Sequence, residues 1–476
     1  MSAIEIRDAI HTRIILSPRE REILDHPYVQ RLRHIRQLGF VSLVYPSATH
    51  DRFSHSIGTM HVAGLLANTL LNNESPSCLA PLLSAKEKNN LWGTLRLAGL
   101  LHDIGHTPFS HSAELVMPPV SSLALPRGWL LYPEEKRAAT HEDYSTLLIA
   151  GMAESKDAVL TKDEAAIIAS LVHHKKIGIP AAWGRMFGKK VNAPSLHAIA
   201  RSLISSNIDA DRMDYLLRDA HFTGVPYGHF DLDWLASNLG IIARKNEYLL
   251  TIPESGIHAL EHYLFARSHM YSQVYMHKTA KCFEYYFRRA LEEKEIPYAI
   301  PAQRRAFVAL RDSTLTEHLF SAAARDASSW AARLMRRSPS KRIARITGNH
   351  GAAEKLFSSL RRALAPKKIR IFLCSSHKSF LEMLAARLVS PTDKQGSFLF
   401  GLAAVPIAVT RTHLGVASAG ALADHSSLLA HYHRDIMIDD IYILPEDYAA
   451  HRGFVHAVMK KYHALAPSEI LLNEEE

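Results

Sequence analysis

The sequence predicts a mainly α-helical protein with a smaller α/β lobe at its C-terminal end. Through most of the first 295 residues, apolar side chains recur every three or four positions, which is typical of amphipathic helices. After residue 295 the chain carries short clusters of Arg and Lys, and brief runs of β-branched and aromatic residues predict strands. We therefore expect a helical core over residues 1–295 and a second lobe over residues 296–476. The predicted strands of that lobe are residues 369–374, 405–410 and 441–444.

The composition fits a folded protein that works in a reducing compartment. The chain has 476 residues, of which 47% are hydrophobic and 22% charged, so it can bury a large core. It contains no apolar run long enough to span a membrane, and the mixed polarity of the first residues predicts no signal peptide. Its three cysteines are far apart and fit no zinc or disulfide pattern, which favours a cytoplasmic location. The net charge of +9 predicts an anionic ligand: a nucleotide, a polyphosphate or a nucleic acid.

Start and stop signals divide the helical core into successive elements. Ser17-Pro18 opens a first helix after a short strand or turn region. The pair Thr140 and Asp143 resembles a capping box and predicts another helix start. A Pro-rich stretch over residues 117–139 is interpreted as a lid. The remaining helices are predicted over residues 25–38 (with Gly39 as C-cap), 56–71, 90–104, 161–175, 195–207, 209–219 and 254–293.

The strongest chemical signal lies at the end of the helix predicted over residues 90–104, in the segment LAGLLHDIGHTPFSH. Its leucines fall at helical spacing, so His102 and Asp103 are expected at the buried end of that helix. An imidazole and a carboxylate are costly to bury unpaired, and a divalent metal would partner both. From this dipeptide alone the alternative is a hydrogen-bonded His-Asp pair in a helix cap.

Two other stretches carry candidate ligands. Arg52 and His55 lie three residues apart, just before the helix predicted from residue 56, where a helix N-terminus favours anions. Asp211, Asp214 and Tyr215 share one face of an acidic helix. That much negative charge suits a metal or the hydroxyls of a sugar, and the alternative is a solvated acidic helix.

Cationic side chains also mark two of the predicted helices. Arg267, Tyr271, Tyr275 and Lys278 follow steps of four, four and three residues, so one continuous helix would place them on one face. Alternating rings and cations suit base stacking and phosphate contact, and they equally suit an amphipathic core helix. The cations of the helix after residue 25, Arg31 among them, are expected to be solvated.

Together, these residues resemble the HD-domain metal-dependent phosphohydrolases, because His, His-Asp and Asp occur in that order on a helical background. The likeness extends to the deoxynucleoside triphosphate (dNTP) triphosphohydrolases and covers about residues 4–290. It rests on the blocks HPYVQRLRHIRQLG, YPSATHDRFSHSIG, HDIGHTPFSH, THE, IDADRMDYLLRD and YMHK, which come in the family's order. The resemblance implies a helical HD core with a bound divalent metal, and the candidates are Mn, Fe, Zn, Ni and Mg.

The resemblance implies a role for each matching position. The implied metal ligands are His55, His102, Asp103 and Asp211. The implied catalytic residues are His106, His111, Glu114, His141 and Glu142. The implied substrate-binding residues are Gln37, Leu38, Arg52, Arg212, Tyr215, Asp219, Arg267, Tyr275 and Lys278.

Within these sets the implied chemistry is specific. His111 would protonate the departing 5′ oxygen, and Glu114 would orient His111. Tyr215 would disfavour a 2′-hydroxyl, and Asp219 would accept a hydrogen bond from the 3′-hydroxyl. For His106 and His141 the alternative is that they only orient other groups. For Tyr215 and Tyr275 the alternative is that they are ordinary tyrosines of the core.

A second nucleotide site is also implied. In the animal member of the family, a guanine nucleotide activates assembly by contacting an Asp, a Gln and an Arg on the early basic helix, where this chain has Asp25, Gln30 and Arg33. The alternatives are that Asp25 is the N-cap of this helix and that Arg33 is solvated. The preceding segment RDAIHTR departs from the family's Asn-Asp-Pro-Ile-His-Gly pattern at Arg7, Ala9 and Thr12.

The sequence therefore predicts a metal-dependent enzyme that hydrolyses dNTPs to deoxynucleoside and inorganic triphosphate. One rival is an HD phosphohydrolase of another nucleotide, a monophosphate or a cyclic one. Another is a nucleic-acid-binding regulatory protein with an inactive site, which the basic region over residues 302–370 weakly supports. The resemblance further implies a homo-oligomer, a dimer, tetramer or hexamer, with a nucleotide activator. The lack of a long apolar run predicts no association with a membrane.

Overall fold

The described part of the chain is mainly helical. The computed structural model describes residues 4–72, 79–154, 157–173, 176–244, 247–378, 407–413, 416–421, 426, 436–463 and 470–472. Within these ranges the helices surround a large core, and the strands form one hairpin and two four-stranded sheets. The predicted fold class, a helical core with a smaller C-terminal α/β lobe, is confirmed.

The helices of the core begin where the sequence provides caps. Ser17, Ser84 and Thr161 each accept a hydrogen bond from a backbone N–H in the helix that follows. The carboxylate of the Glu three residues on accepts a hydrogen bond from the backbone N–H of the capping residue. The helices up to residue 292 are α1 (Pro18–Leu24), α2 (Pro27–Gln30), α3 (Arg52–Asn72), α4 (Ala85–Leu101), α5 (His141–Glu154), α6 (Lys162–Val172), α7 (Ala181–Arg185), α8 (Ala193–Ser202), α9 (Ala210–Thr223), α10 (Leu232–Ser237), α11 (Ile257–Met270) and α12 (Lys278–Glu292). The later ones are α13 (Arg304–Phe307), α14 (Asp312–Arg325), α15 (Trp330–Met335), α16 (His350–Leu364) and α17 (Pro445–His463).

Helix α3 is the central element of the core, and it packs against both α4 and α9. The crossing with α4 is close, because a Cβ atom on Gly99 would lie 2.9 Å from the carbonyl oxygen of Thr59. A glycine at this point lets the two backbones approach. The close crossing brings the first turn of α3 near the C-terminal end of α4, where the candidate ligands lie.

The strands form three separate sheets. They are β1 (Ile4–Asp8), β2 (Thr12–Leu16), β3 (Gly240–Arg244), β4 (Glu247–Pro253), β5 (Lys341–Thr347), β6 (Ile371–Lys378), β7 (Ile407–His413), β8 (Val416–Ala421), β9 (Ile436–Ile443) and β10 (Ile470–Leu472). β1 and β2 make an antiparallel hairpin, and the lobe sheet has the order β10-β5-β9-β6. A third sheet has the order β3-β4-β7-β8, in which β4 and β7 run parallel. The three predicted strands correspond to β6, β7 and β9, although residues 405 and 406 lie outside the described residues.

Strand β2 begins, directly after the hairpin turn, with a strained residue. Thr12 has a φ of 56°, in the left-handed region that disfavours a β-branched side chain. We expect Thr12→Gly to raise the free energy of unfolding by about 0.5–1 kcal/mol, because the relief of strain outweighs glycine's extra entropy in the unfolded chain. Denaturant unfolding would measure the change, with Thr12→Ala as the control, since alanine keeps the Cβ. A Thr12→Gly protein less stable than wild type would contradict the strain argument.

The predicted helix over residues 25–38 is shorter than expected. α2 ends at Gln30, a 3-10 turn covers Arg31–His34, and Gly39 is not a C-cap. Gly39 instead has a φ of 49°, and a Cβ there would lie 3.2 Å from the carbonyl oxygen of Phe109. The expectation that Arg31 is solvated was wrong: its buried guanidinium donates to the carbonyl oxygens of His106, at 2.9 Å, and Leu310, at 3.2 Å. Buried carbonyls need donors, and Arg31 supplies them.

The predicted long helix over residues 254–293 is divided in two. α11 ends at Met270, a π-helical turn covers Tyr271–Tyr275, and α12 starts at Lys278 with the side chain of His277 as its N-cap. Arg267, Tyr275 and Lys278 therefore do not lie along one continuous helix. Single π turns inside helices occur frequently at functional sites.

An aromatic cluster joins the helical core to the C-terminal lobe. Phe283 and Phe287 of α12 pack in one buried group with Phe372 of β6 and Tyr442 of β9. The rings of Tyr285 and Phe372 are stacked with centroids 3.9 Å apart. This packing crosses the boundary predicted at residue 295, which stays a prediction.

Several of the basic clusters after residue 295 are engaged with acidic partners. Arg345 forms two 2.7 Å hydrogen bonds to Asp440, and Arg370 pairs with Asp447 at 3.0 Å. Arg304 pairs with Glu154 of α5 at 2.8 Å. These cations stabilise the lobe and its contact with the core, which weakens the case for a surface devoted to nucleic acid.

Candidate metal and active site

Three of the four expected metal ligands converge on one point. His55 lies in the first turn of α3, His102 caps the C-terminus of α4, and Asp211 lies in the first turn of α9. The Nε2 atoms of His55 and His102 lie 3.0 and 3.4 Å from the same oxygen, Oδ1 of Asp211. One candidate ligand atom from each of the three lies within 4.8 Å of the other two. Arg52 and His55 thus belong to α3 itself, whereas the sequence predicted them just before it.

The other nitrogen of each imidazole is already engaged. Nδ1 of His55 lies 2.7 Å from Oδ2 of Asp214, and Nδ1 of His102 lies 2.7 Å from the carbonyl oxygen of Gly99. Because both partners are acceptors, both Nδ1 atoms carry hydrogen, which leaves the Nε2 atoms to face Asp211. Nε2 of His102 is buried and makes no hydrogen bond among the described residues. Two Nε2 atoms and a carboxylate around one point fit a divalent ion.

Asp103 lies beside this group and is paired with Arg52. Its Oδ2 atom accepts a short hydrogen bond from the Arg52 guanidinium and lies 3.7 Å from Nε2 of His55. Its Oδ1 atom lies 3.3 Å from Nε2 of His102 and 3.2 Å from Nε2 of His106. Asp103 therefore stands between the candidate metal ligands and the histidines that follow α4.

The charges of the site favour a cation at its centre. Burial would raise the pKa of Asp211, but His102 and His55 outweigh it and hold that pKa below its usual range. Burial would lower the pKa of His55, but hydrogen bonds to Asp211 and Asp214 raise it to about 10. The carboxylates thus stay ionised at neutral pH and attract positive charge, which protons or a metal ion can supply.

A second cluster follows α4 and contains four of the expected catalytic residues. His106, His111, Glu114 and His141 bring candidate ligand atoms within 4.8 Å of one another. Glu114 Oε1 lies 3.0 Å from Nδ1 of His111 and 2.7 Å from Nδ1 of His141. The rings of His106 and His141 are stacked with centroids 4.0 Å apart. His111 is two-thirds exposed, so its outer edge can meet a ligand, while Glu114 fixes its orientation.

The residues expected around the sugar form a connected group. The Tyr275 hydroxyl donates to Oδ2 of Asp219 at 2.7 Å, and Nε2 of His50 lies 2.7 Å from Oδ1 of the same carboxylate. The Tyr215 ring lies between the groups, with its centroid 6.4 Å from that of His55 and 6.1 Å from that of Tyr275. Tyr215 therefore connects the candidate metal corner with Asp219.

The residues expected to contact the phosphates and the base have different surroundings and do not form one group. Arg267 is buried beside Asn207, and its Nε makes no hydrogen bond among the described residues. Arg212 turns toward its own helix start and donates to Asp209. Lys278 lines a cavity of about 180 Å³ together with His277, Arg342 and Arg345. Gln37 and Leu38 are partly buried, and the side-chain oxygen of Gln37 has no hydrogen-bond donor among the described residues.

Comparisons with known proteins fit this arrangement. The family model for the HD domain matches residues 52–219, and the model for the HD associated region matches residues 231–364. Residues 52–219 contain His55, the His102-Asp103 pair and Asp211, which are the residues on which the resemblance to the HD-domain phosphohydrolases rests. This chain contains an HD domain over residues 52–219.

Relatives and solved structures extend the comparison. An uncharacterized protein of Methanocaldococcus jannaschii is 34% identical over 287 residues, which are 60% of this chain and 49% of that protein. The human deoxynucleoside triphosphate triphosphohydrolase SAMHD1 is 29% identical over 282 residues, 57% of this chain and 42% of that protein. The HD-domain chain thus spans about half the length of the curated relatives it matches.

The fold also has solved counterparts. A hypothetical protein from Aquifex aeolicus superposes with a TM-score of 0.68 at 23% identity, covering 95% of this chain and 100% of that one. A phosphohydrolase from Bacteroides thetaiotaomicron gives a TM-score of 0.61 at 20% identity, covering 93% and 100%. At these identities the likeness shows the fold. Among the described helices of this HD-domain protein, none is both long and apolar enough to cross a membrane.

The residues expected to form a regulatory site lie on the surface at the start of the HD-domain protein. Asp25 is the C-cap of α1, and His26 rather than Asp25 caps α2, so the capping alternative for Asp25 was wrong. Arg33 donates to the side-chain oxygen of Gln30 at 2.9 Å, and its guanidinium stacks over the ring of Phe53. A regulatory role for these residues stays a prediction.

Two residues next to the site were missed or left unassigned by the sequence. Asp214 was seen only as part of an acidic face, although it is fully buried against His55. The signal was its spacing, since three residues after Asp211 is one helical turn further along the same side. His50 was not singled out, and nothing in its sequence context indicated that it would pair with Asp219.

The His141 imidazole should make the stability of this HD-domain protein depend on pH. Burial would lower its pKa, but Glu142 and Glu114 outweigh it and raise the pKa to about 9. This stabilisation is fully present below the ordinary histidine pKa of about 6.5 and is lost as pH rises through about 9. We expect the metal-free protein to lose roughly 1–3 kcal/mol over that interval.

Thermal melting between pH 6.5 and 9.5 would measure this loss. His141→Gln should make the pH dependence shallower, and the buried His55, whose pKa is also raised, should account for part of what remains. The matched control is His258→Gln, because the His258 side chain is 92% exposed. An unchanged pH dependence in His141→Gln would contradict the assignment.

Proposed function

We propose that this HD-domain protein hydrolyses dNTPs and releases a deoxynucleoside and inorganic triphosphate. The observation that carries the proposal is the convergence of His55, His102 and Asp211 on one point beside the buried Arg52. It combines a site suited to a divalent ion with a buried guanidinium suited to a phosphate.

The proposed reaction is a displacement at the α-phosphorus. A divalent ion held by His55, His102 and Asp211 would supply Lewis-acid chemistry, polarising a phosphoryl oxygen and making a water more acidic. The oxygen of one water bonds to phosphorus while that water releases a proton to solvent, and the bond from phosphorus to the 5′ oxygen breaks. His111 gives a proton to the 5′ oxygen, and its hydrogen bond to Glu114 holds the ring in place.

Buried cations favour a polyphosphate over a monophosphate. Arg52 already pairs with Asp103, while Arg267 is buried with an Nε that has no hydrogen-bond acceptor among the described residues. An unsatisfied buried guanidinium donor is costly unless an anion binds it. A triphosphate has the negative charge to engage both arginines.

The sugar group favours a deoxynucleotide. The Tyr215 ring packs between the metal corner and Asp219, where it would crowd a 2′-hydroxyl. The Asp219 carboxylate accepts from Tyr275 and lies next to His50, and its remaining lone pairs can accept from a 3′-hydroxyl. The names of the SAMHD1 relatives, which describe dNTP triphosphohydrolases, support the same choice.

The decisive experiment incubates the purified chain with each of the four dNTPs and Mn²⁺ and separates the products by anion-exchange chromatography. Deoxynucleoside and inorganic triphosphate are expected, and the four ribonucleoside triphosphates serve as the control for sugar selection. Orthophosphate without triphosphate, or turnover of monophosphates alone, would favour the rival phosphohydrolase.

A parallel set of reactions contains GTP to test the proposed activator. Light scattering with and without GTP would report whether the chain assembles into a larger homo-oligomer. If neither the rate nor the assembly changes, the regulatory role of Asp25, Gln30 and Arg33 is removed.

A further inference from the structure

The turn of the N-terminal hairpin reaches the interior of the HD domain. Nε2 of His11 lies 2.6 Å from Oδ1 of Asp214, and the His11 side chain is only 4% exposed. Asp8, from the end of β1, accepts two hydrogen bonds from Arg218 at 2.9 and 3.1 Å. A surface hairpin has no need of these buried polar contacts for its own two-stranded ladder.

These contacts lead to one carboxylate, that of Asp214, which His11 contacts directly and Asp8 reaches through Arg218. Asp214 is fully buried, and Arg218 donates to both of its oxygens at 2.9 Å. The oxygen that does not face His11 accepts from Nδ1 of His55 at 2.7 Å. His11 and Arg218 therefore hold Asp214, and Asp214 fixes which nitrogen of His55 faces the metal corner.

This carboxylate packs closely against the backbone of α3. A Cβ atom on Gly58 of α3 would lie 1.9 Å from Oδ1 of Asp214 and 2.4 Å from the Arg218 guanidinium. Asp8 also accepts from the backbone N–H groups of Ile10 and His11, both at 3.0 Å, which fixes the turn that carries His11. The chain of contacts is thus continuous from the hairpin turn to the imidazole of His55.

We propose that His11, supported by Asp8, is a positioning residue that orients the metal ligand His55 through Asp214. The hairpin is then part of the metal centre, although it contributes no ligand. This inference rests on the metal site of the proposed function and is independent of which nucleotide is hydrolysed. Groups that orient a ligand histidine typically change metal affinity by 10-fold to 100-fold when they are removed.

Three variants test the proposal by metal affinity, measured with metal-stripped protein and Mn²⁺ against a competing chelator. His11→Leu removes the donor to Asp214 and should weaken Mn²⁺ binding by about 10-fold or more. His11→Gln can still donate an amide hydrogen bond to Asp214 and should restore the affinity to within about 3-fold of wild type. Arg13→Ala is the matched control, because it breaks an exposed ion pair with Glu5 on the same hairpin.

Thermal melting of the metal-free proteins separates positioning from a general loss of structure. The proposal is supported if His11→Leu binds Mn²⁺ more weakly while His11→Gln and Arg13→Ala bind it as wild type does. It is overturned if His11→Leu binds Mn²⁺ normally, or if Arg13→Ala weakens binding as much as His11→Leu. A wild-type protein that binds Mn²⁺ but hydrolyses no dNTP would defeat the proposed function and leave this inference intact.

Discussion

Asp211→Ala should abolish metal binding and lower kcat/KM for the proposed dNTP hydrolysis by about three orders of magnitude. The substitution removes the oxygen that the Nε2 atoms of His55 and His102 both face, at 3.0 and 3.4 Å. The remaining imidazoles would then have only Asp103, which already pairs with Arg52, to balance the charge of a divalent ion. Metal analysis of the purified protein and steady-state kinetics would measure the two effects.

The fold should survive the Asp211→Ala change. The Asp211 side chain is 29% exposed, and His55 keeps its hydrogen bond to the buried Asp214. The melting temperature of the metal-free variant should therefore stay within a few degrees of wild type. Asp233→Ala, which removes an exposed carboxylate of α10, is the control and should keep both metal and activity. Full metal content in Asp211→Ala would refute the site described above.

The second large effect is expected at Gly105, where the chain leaves α4 and approaches α5. A Cβ atom on Gly105 would lie 2.1 Å from the backbone nitrogen of Ser145 and 2.2 Å from the carbonyl oxygen of His141. Because both atoms belong to the backbone of α5, neither can move aside without moving the helix. We expect Gly105→Ala to destabilise the protein by about 3 kcal/mol or more.

The displacement of α5 should also damage the catalytic cluster. The Ser145 hydroxyl accepts from Gly105 N–H at 3.0 Å and donates to the carbonyl oxygen of His102 at 2.7 Å, so α5 and the end of α4 move together. Differential scanning fluorimetry and activity would show the loss. Gly93→Ala is the matched control, because a Cβ on Gly93 meets no atom within 4 Å and alanine favours the interior of α4. A Gly105→Ala protein as stable as Gly93→Ala would contradict the expected clash between a Cβ on residue 105 and the backbone of α5.

The sequence predicted the candidate ligands and several helices, because each is marked by a motif or by a local pattern of residues. His55, His102 and Asp211 were found because their residue types and order match a known motif, and the structure places them together. Helices α3, α4, α6 and α9 were predicted within a few residues by apolar periodicity and capping residues. These signals are local in the chain, so no knowledge of tertiary contacts was needed to read them.

The sequence was uninformative where a tertiary contact decides the outcome. Arg31 was predicted to be solvated because its neighbours are charged. It is buried instead, and its guanidinium donates to carbonyl oxygens of residues far along the chain. No Pro or Gly occurs between α11 and α12, so the sequence carries no signal for the break between these helices. Asp8 and His11 match the Asp and the His of the family's entry pattern, but the sequence assigned them no role, because their partners on α9 lie more than 200 residues away.

The aromatic cluster between α12 and the lobe strands has a consequence for how such a chain can be inherited. Phe283, Phe287, Phe372 and Tyr442 are encoded on both sides of residue 295 but fill one shared interior. Recombination at that point would combine aromatic rings from two different parent proteins. The mismatched rings would leave cavities or steric clashes in the cluster. Exchange between related genes should therefore preserve both halves as a unit, so that the catalytic helices and their lobe diverge together.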